Sequence, residues 1–94
     1  MEAREEQLAH LERLAQALDT GAFAAEVVKT IPGPYLKVAN ARTPALNEQV
    51  HCRQTDDGSW VFQWPWKQPI GPVDDLETVT GKIAEVLRPV VGET

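Results

Sequence analysis

Between two runs of alternating apolar and polar residues lies Thr55-Asp56-Asp57-Gly58-Ser59, the stretch that most constrains what this chain can fold into. Two aspartates followed by glycine suit a type I turn closed by a glycine bulge, because the last loop residue must take a positive φ. That turn pairs Thr55 with Ser59. It sets Gln54 opposite Trp60, Cys52 opposite Phe62 and Val50 opposite Trp64, so the apolar side chains of the hairpin meet on one face. A two-residue Asp57-Gly58 loop would instead set Arg53 against Phe62 and His51 against Trp64. A slip of one residue changes which partners share a face, so the bulged register is the expected one. Pro65 ends the second strand.

Upstream the same two-residue period continues. Phe23, Ala25 and Val27 alternate with Ala24, Glu26 and Val28, which predicts a strand over residues 22–29. Ile31-Pro32-Gly33-Pro34 breaks it, and Tyr35 to Ala39 forms a second strand with Leu36 and Val38 on one side. Asn40 to Asn47 reads as a loop around Pro44. Lys67 to Val73 holds Pro69, Gly71 and Pro72 and is expected to be irregular.

At both ends the period changes to that of a helix. Leu8, Leu11, Leu14, Ala15 and Leu18 form one stripe over residues 2–20, and Gly21 follows as the stop. Leu76, Val79, Ile83, Val86 and Leu87 form a second stripe, entered through Asp74 as N-cap with Glu77 three residues on and ended by Pro89. Ninety-four residues suffice for one modest core, so residues 1–94 are read as a single domain. The expected fold is α+β in the order α-β-β-β-β-α: a four-stranded antiparallel meander with two helices on one face. The covered face takes Phe23, Val27, Leu36, Val38, Val50, Cys52, Trp60, Phe62 and Trp64.

The net charge of −5 is unevenly placed. Residues 1–20 and 74–94 each carry five acids against two bases, while residues 21–73 carry four acids against five bases. The helices therefore hold the acidity and the sheet is close to neutral. Such a balance speaks against a nucleic-acid binder or an anionic-membrane binder. No apolar run approaches the ~20 residues of a membrane-spanning helix, and none serves as a signal-peptide core behind Met1-Glu2-Ala3-Arg4-Glu5-Glu6. One cysteine cannot form an internal disulfide. A reduced, cytoplasmic domain is the expectation.

Convergent chemistry is missing from the pattern. His51 and Cys52 are neighbours in a strand, so their side chains leave opposite faces and cannot work as base and nucleophile or as two ligands of one metal. His10 falls at the edge of the leucine stripe. Gly81-Lys82-Ile83 lacks both the first glycine and the hydroxyl of a phosphate-binding loop. Helix capping accounts for Asp74-Asp75, and turn formation for Asp56-Asp57. The chain is read as no enzyme, with no catalytic residues, no metal site and no cofactor.

Two surfaces remain as candidates. The uncovered sheet face carries Tyr35, Lys37, His51, Arg53, Val61 and Gln63, a polar and mildly basic platform. With Tyr35 as its one aromatic, it is poorly suited to stacking RNA bases. The loops over residues 40–47 and 65–73 are long for so small a domain and would border a groove with Arg42, Trp66 and Lys67. Trp66 stands out because it lies past Pro65, where the strand pattern has ended.

Pro34-Tyr35-Leu36-Lys37-Val38-Ala39-Asn40, Gly58-Ser59-Trp60-Val61-Phe62-Gln63-Trp64 and Ile70-Gly71-Pro72-Val73-Asp74-Asp75 resemble segments of small actinobacterial proteins of similar length and uncharacterised activity. The resemblance implies a bacterial, cytoplasmic, stand-alone domain and carries over no functional residues. The order helix–sheet–helix is also similar, at the level of fold, to small secretion chaperones, which are dimers. The function expected from all of this is a protein-interaction or regulatory module, either binding a protein partner or self-associating through its sheet face. The alternative is a small-molecule site in the loop groove.

Overall fold

The computed structural model describes residues 3–19, 21–31 and 33–87. In chain order it contains α1 (Ala3–Leu18), β1 (Phe23–Val28), β2 (Tyr35–Asn40), β3 (Asn47–Gln54), β4 (Trp60–Gln63), β5 (Pro69–Pro72) and α2 (Leu76–Val86). The expected second-helix stop at Pro89 lies outside the described residues. The strands form one antiparallel sheet in the order β1-β2-β3-β4-β5. The class is α+β as expected, but the meander has five strands, not four.

The additional strand is the segment expected to be irregular, and its geometry shows why prolines do not prevent it. The Val73 N–H donates to the Trp60 carbonyl at 3.1 Å, and the Trp64 N–H to the Gln68 carbonyl at 2.9 Å. These bonds put residues 73 and 68 in bonded pairs, so the neighbouring pairs Val61–Pro72 and Gln63–Pro69 are non-bonded ones. Pro69 and Pro72 therefore point their missing donors away from the sheet. Proline is tolerated at an edge in that orientation. A bulge between Phe62 and Gln63 adjusts the register and turns Ile70 into the core, where it is 1% exposed.

The hairpin over residues 50–64 keeps the expected register. The Thr55 N–H bonds the Ser59 carbonyl at 2.7 Å, and Gln54–Trp60, Arg53–Val61 and Cys52–Phe62 are paired. The paired ladder ends at His51–Gln63, one step short of Val50 and Trp64. Gly58 takes φ +90°, the left-handed value the bulge needs. The β4–β5 connection repeats this geometry over Trp64-Pro65-Trp66-Lys67-Gln68, with Lys67 at φ +71° in the place of Gly58.

Strand β3 divides its length between two neighbours. Residues 47–50 pair with β2 and residues 51–54 with β4, so the sheet is stepped at its centre. Where β2 stops, the register sets Pro34 opposite Cys52, and proline has no N–H to give. Gln7 of α1 fills the gap, its Nε2 donating to the Cys52 carbonyl at 2.7 Å. A buried acceptor that β2 cannot satisfy is thus satisfied by the helix layer.

Both helices pack on one face. Leu11, Leu14 and Leu18 of α1 and Val79 and Ile83 of α2 close the core over Leu36, Val38, Val50, Cys52, Phe62, Trp64 and Ile70, with Phe23, Ala25, Val27 and Trp60 partly buried around them. Asp75, not Asp74, is the N-cap of α2, its carboxylate accepting from the Thr78 N–H at 3.3 Å. Asn40 extends β2 one residue beyond expectation and is buried. Its Nδ2 donates to the Leu87 carbonyl at 3.0 Å, and its Oδ1 accepts from the Arg42 and Thr43 N–H groups. Gly71 leaves room for α2, since a Cβ there would stand 3.0 Å from Val79 Cγ2.

Candidate interaction surface

The period of two sends every second side chain of the strands away from the helices. In this sheet Tyr35, Lys37, His51, Arg53, Val61 and Gln63 all fall on that uncovered face, together with Glu26, Val28 and Gln49. The strand registers align Val28 with Tyr35 and His51 with Gln63, and the Tyr35 and His51 rings lie 5.6 Å apart at 30°. A second row places Val61 between Arg53 and Pro72. A third runs Glu26–Lys37–Gln49.

The polar groups on this face partly satisfy one another. Arg53 Nε donates to Gln63 Oε1 at 3.0 Å, and His51 Nε2 lies 3.3 Å from Gln49 Oε1. Tyr35, His51, Val61 and Gln63 are half-buried, whereas Lys37 and Arg53 are exposed. Burial holds the His51 imidazole below its usual pKa, which favours the neutral ring. The face thus has a half-buried middle of Tyr35, His51, Val61 and Gln63, with positive charge at Lys37 and Arg53 and the Glu26 carboxylate opposite Lys37.

The residues assigned to a groove have different surroundings. Residues 65–73 form a tight turn followed by β5, not a long loop. Arg42 lines an open cleft of about 630 Å³ with Gly21, Ala22, Asn40 and Thr43, and neither Trp66 nor Lys67 lines it. Trp66 stacks on the buried Trp64, with centroids 5.4 Å apart and planes at 9°, and its Nε1 donates to Gln68 Oε1 at 2.9 Å. Even so, 54% of Trp66 is exposed, so it shields Trp64 with one side and meets solvent with the other.

No protein-family model, curated protein or solved structure matches the chain. Its chemistry has to be judged from its own side chains. Burial pushes the Cys52 thiol up to about 12, which leaves no thiolate at neutral pH, and His51 lies on the other side of the strand. The His10 ring is tilted at 47° against Trp60 with centroids 5.5 Å apart, and Trp60 Nε1 donates to Glu6 Oε1 at 3.2 Å. Among the described residues, the His10 Nδ1 is buried without a hydrogen-bond partner. Burial, and then Arg13, hold its pKa below the usual value. Among the described residues no group of three or more His, Cys, Asp or Glu is placed to hold a metal ion, and no helix is long and apolar enough to cross a membrane.

Sequence reasoning found the outward set because it depends only on strand period and hairpin register. It missed Pro69 and Pro72 as members of the same sheet. Pro65-Trp66-Lys67 has the length of the three-residue loop Asp56-Asp57-Gly58, but it lacks the glycine that marks such a turn in a sequence.

Proposed function

We propose that this chain is a non-enzymatic, cytoplasmic protein-interaction module that binds another protein through the open face of its sheet. The observation that carries this reading is that both helices lie on one face, leaving Tyr35, His51, Val61 and Gln63 half-buried and contiguous on the other. Aromatic and aliphatic groups in the centre of a patch supply most of the affinity at protein interfaces, with charges at the rim adding specificity. Lys37 and Arg53 suit a partner that presents carboxylates around an apolar centre. The acidic helices keep the opposite side soluble and disfavour contact there with acidic proteins.

Val61 is the position to test, because it lies between Arg53 and Pro72 on the outer face and contributes nothing to the helix-covered core. Tagged wild-type and Val61→Glu chains are compared in affinity capture from the native cell, with circular dichroism as the control for folding. The expected result is a protein held in near-equal amount by the wild type and lost by the folded variant. Equal recovery by both chains would remove the sheet face from the interaction.

A further inference from the structure

The two edges of the sheet are not alike. At β5 the outward donors of Pro69 and Pro72 are absent, and the Ile70 carbonyl accepts from Lys82 Nζ at 2.9 Å. Prolines and a covering side chain are the usual means by which proteins stop an edge from pairing. At β1 no proline lies in the strand, and among the described residues no side chain is bonded to its edge. Among the described residues β1 pairs with β2 alone.

The directions of the free groups on β1 follow from one bond. The Ala41 N–H donates to the Ala22 carbonyl at 3.0 Å, so residues 24, 26 and 28 turn their backbone groups toward β2. Phe23, Ala25 and Val27 turn theirs outward. The same three residues send their side chains to the helix-covered face and are only partly buried there.

We infer that β1 is a self-association edge, at which a second copy of this chain pairs antiparallel across a two-fold axis through Ala25. In this register Ala25 faces Ala25 of the second copy, and Phe23 faces its Val27. Every outward-facing pair exchanges two hydrogen bonds. On the open face Glu26 falls opposite Ala24 of the second copy, which is small and exposed. Shifting the register by two residues in one direction sets Glu26 against its own copy in a close, non-bonded pair, where like charges repel. The opposite shift leaves Val27 without a partner in the strand. A shift of one residue sends apolar side chains to the open face. The blunted β5 edges stop growth at two copies, giving a closed, symmetric dimer.

This association uses the edge and stands whether or not the open face binds another protein. Ala25→Pro removes an outward N–H without touching the β1–β2 ladder, so it blocks the dimer and spares the fold. Sedimentation equilibrium on the full chain is expected to give twice 10.4 kDa for the wild type and 10.4 kDa for Ala25→Pro, with matching circular dichroism. Ala24→Glu, at an exposed position, is expected to raise the dimer dissociation constant about tenfold, and Ala24→Lys to lower it. A wild type that stays monomeric at its highest soluble concentration overturns the inference. So does a dimer unaffected by Ala24→Glu and Ala24→Lys, or one that survives in folded Ala25→Pro. Loss of the dimer in Val61→Glu alone would place self-contact on the face and refute pairing at β1.

Discussion

Two hairpin turns of one geometry, occupied by glycine at one site and lysine at the other, permit a reciprocal experiment. Gly58 and Lys67 close equivalent three-residue loops with φ of +90° and +71°. A side chain in the left-handed region costs about 1–2 kcal/mol. Against this, replacing a residue by glycine costs about 0.4–1 kcal/mol through the greater freedom of the unfolded chain. Lys67→Gly should therefore stabilise the protein by about 0.5–1 kcal/mol, which corresponds to about 2–8 °C in Tm for a domain of this size. Gly58→Ala reverses both contributions and should destabilise by a similar amount. Apart from its chain neighbours, no atom of the described residues lies within 4 Å of a Cβ built on Gly58, so no clash enters that figure. Thermal unfolding followed by circular dichroism, with urea titration as a second measure, reads both variants. A lower Tm for Lys67→Gly, or an unchanged Tm for Gly58→Ala, would refute the assignment of backbone strain to these turns.

Gly71→Ala would place a methyl group 3.0 Å from Val79 Cγ2, so that Val79 must give by a few tenths of an ångström, an overpacking cost of about 1 kcal/mol that urea titration would detect. His10 has its folded pKa lowered, by burial first and then by Arg13, so the unfolded chain binds its proton more readily. Its contribution is fully present above the unfolded value of 6.5 and is lost as pH falls from there through the folded value. Urea midpoints should thus drop between pH 7.5 and 5.5 by less in His10→Gln than in the wild type; an equal drop would assign the pH dependence to other groups.

Local rules were enough to place most of the frame. The leucine stripe of α1, the alternation in β1 and β2 and the turn at Thr55–Ser59 each depend on residues close in sequence, so each was legible. The open-face residues followed from the same alternation. Trp66 was not legible, because its place on Trp64 depends on a turn whose left-handed residue is Lys67 and not glycine. Nor was the choice of Asp75 over Asp74 as cap, since either aspartate precedes a helical stripe and the Pro72 carbonyl, bonded to the Asp75 N–H at 3.1 Å, sets where the helix begins.

The amino-acid sequence by itself determined the class of elements, the register of the central hairpin and which strand residues face away from the helices. Periodicity and turn chemistry act over a few residues, and no distant partner is needed to read them. Only the tertiary structure decided that Pro69–Pro72 is a strand, that Gln7 reaches the Cys52 carbonyl and that β5 is a closed edge while β1, among the described residues, pairs on one side alone. In each case the outcome depends on the direction of a backbone N–H or C=O relative to a neighbour far away in the chain. A proline costs a sheet one hydrogen bond when its nitrogen faces another strand, and none when it faces out.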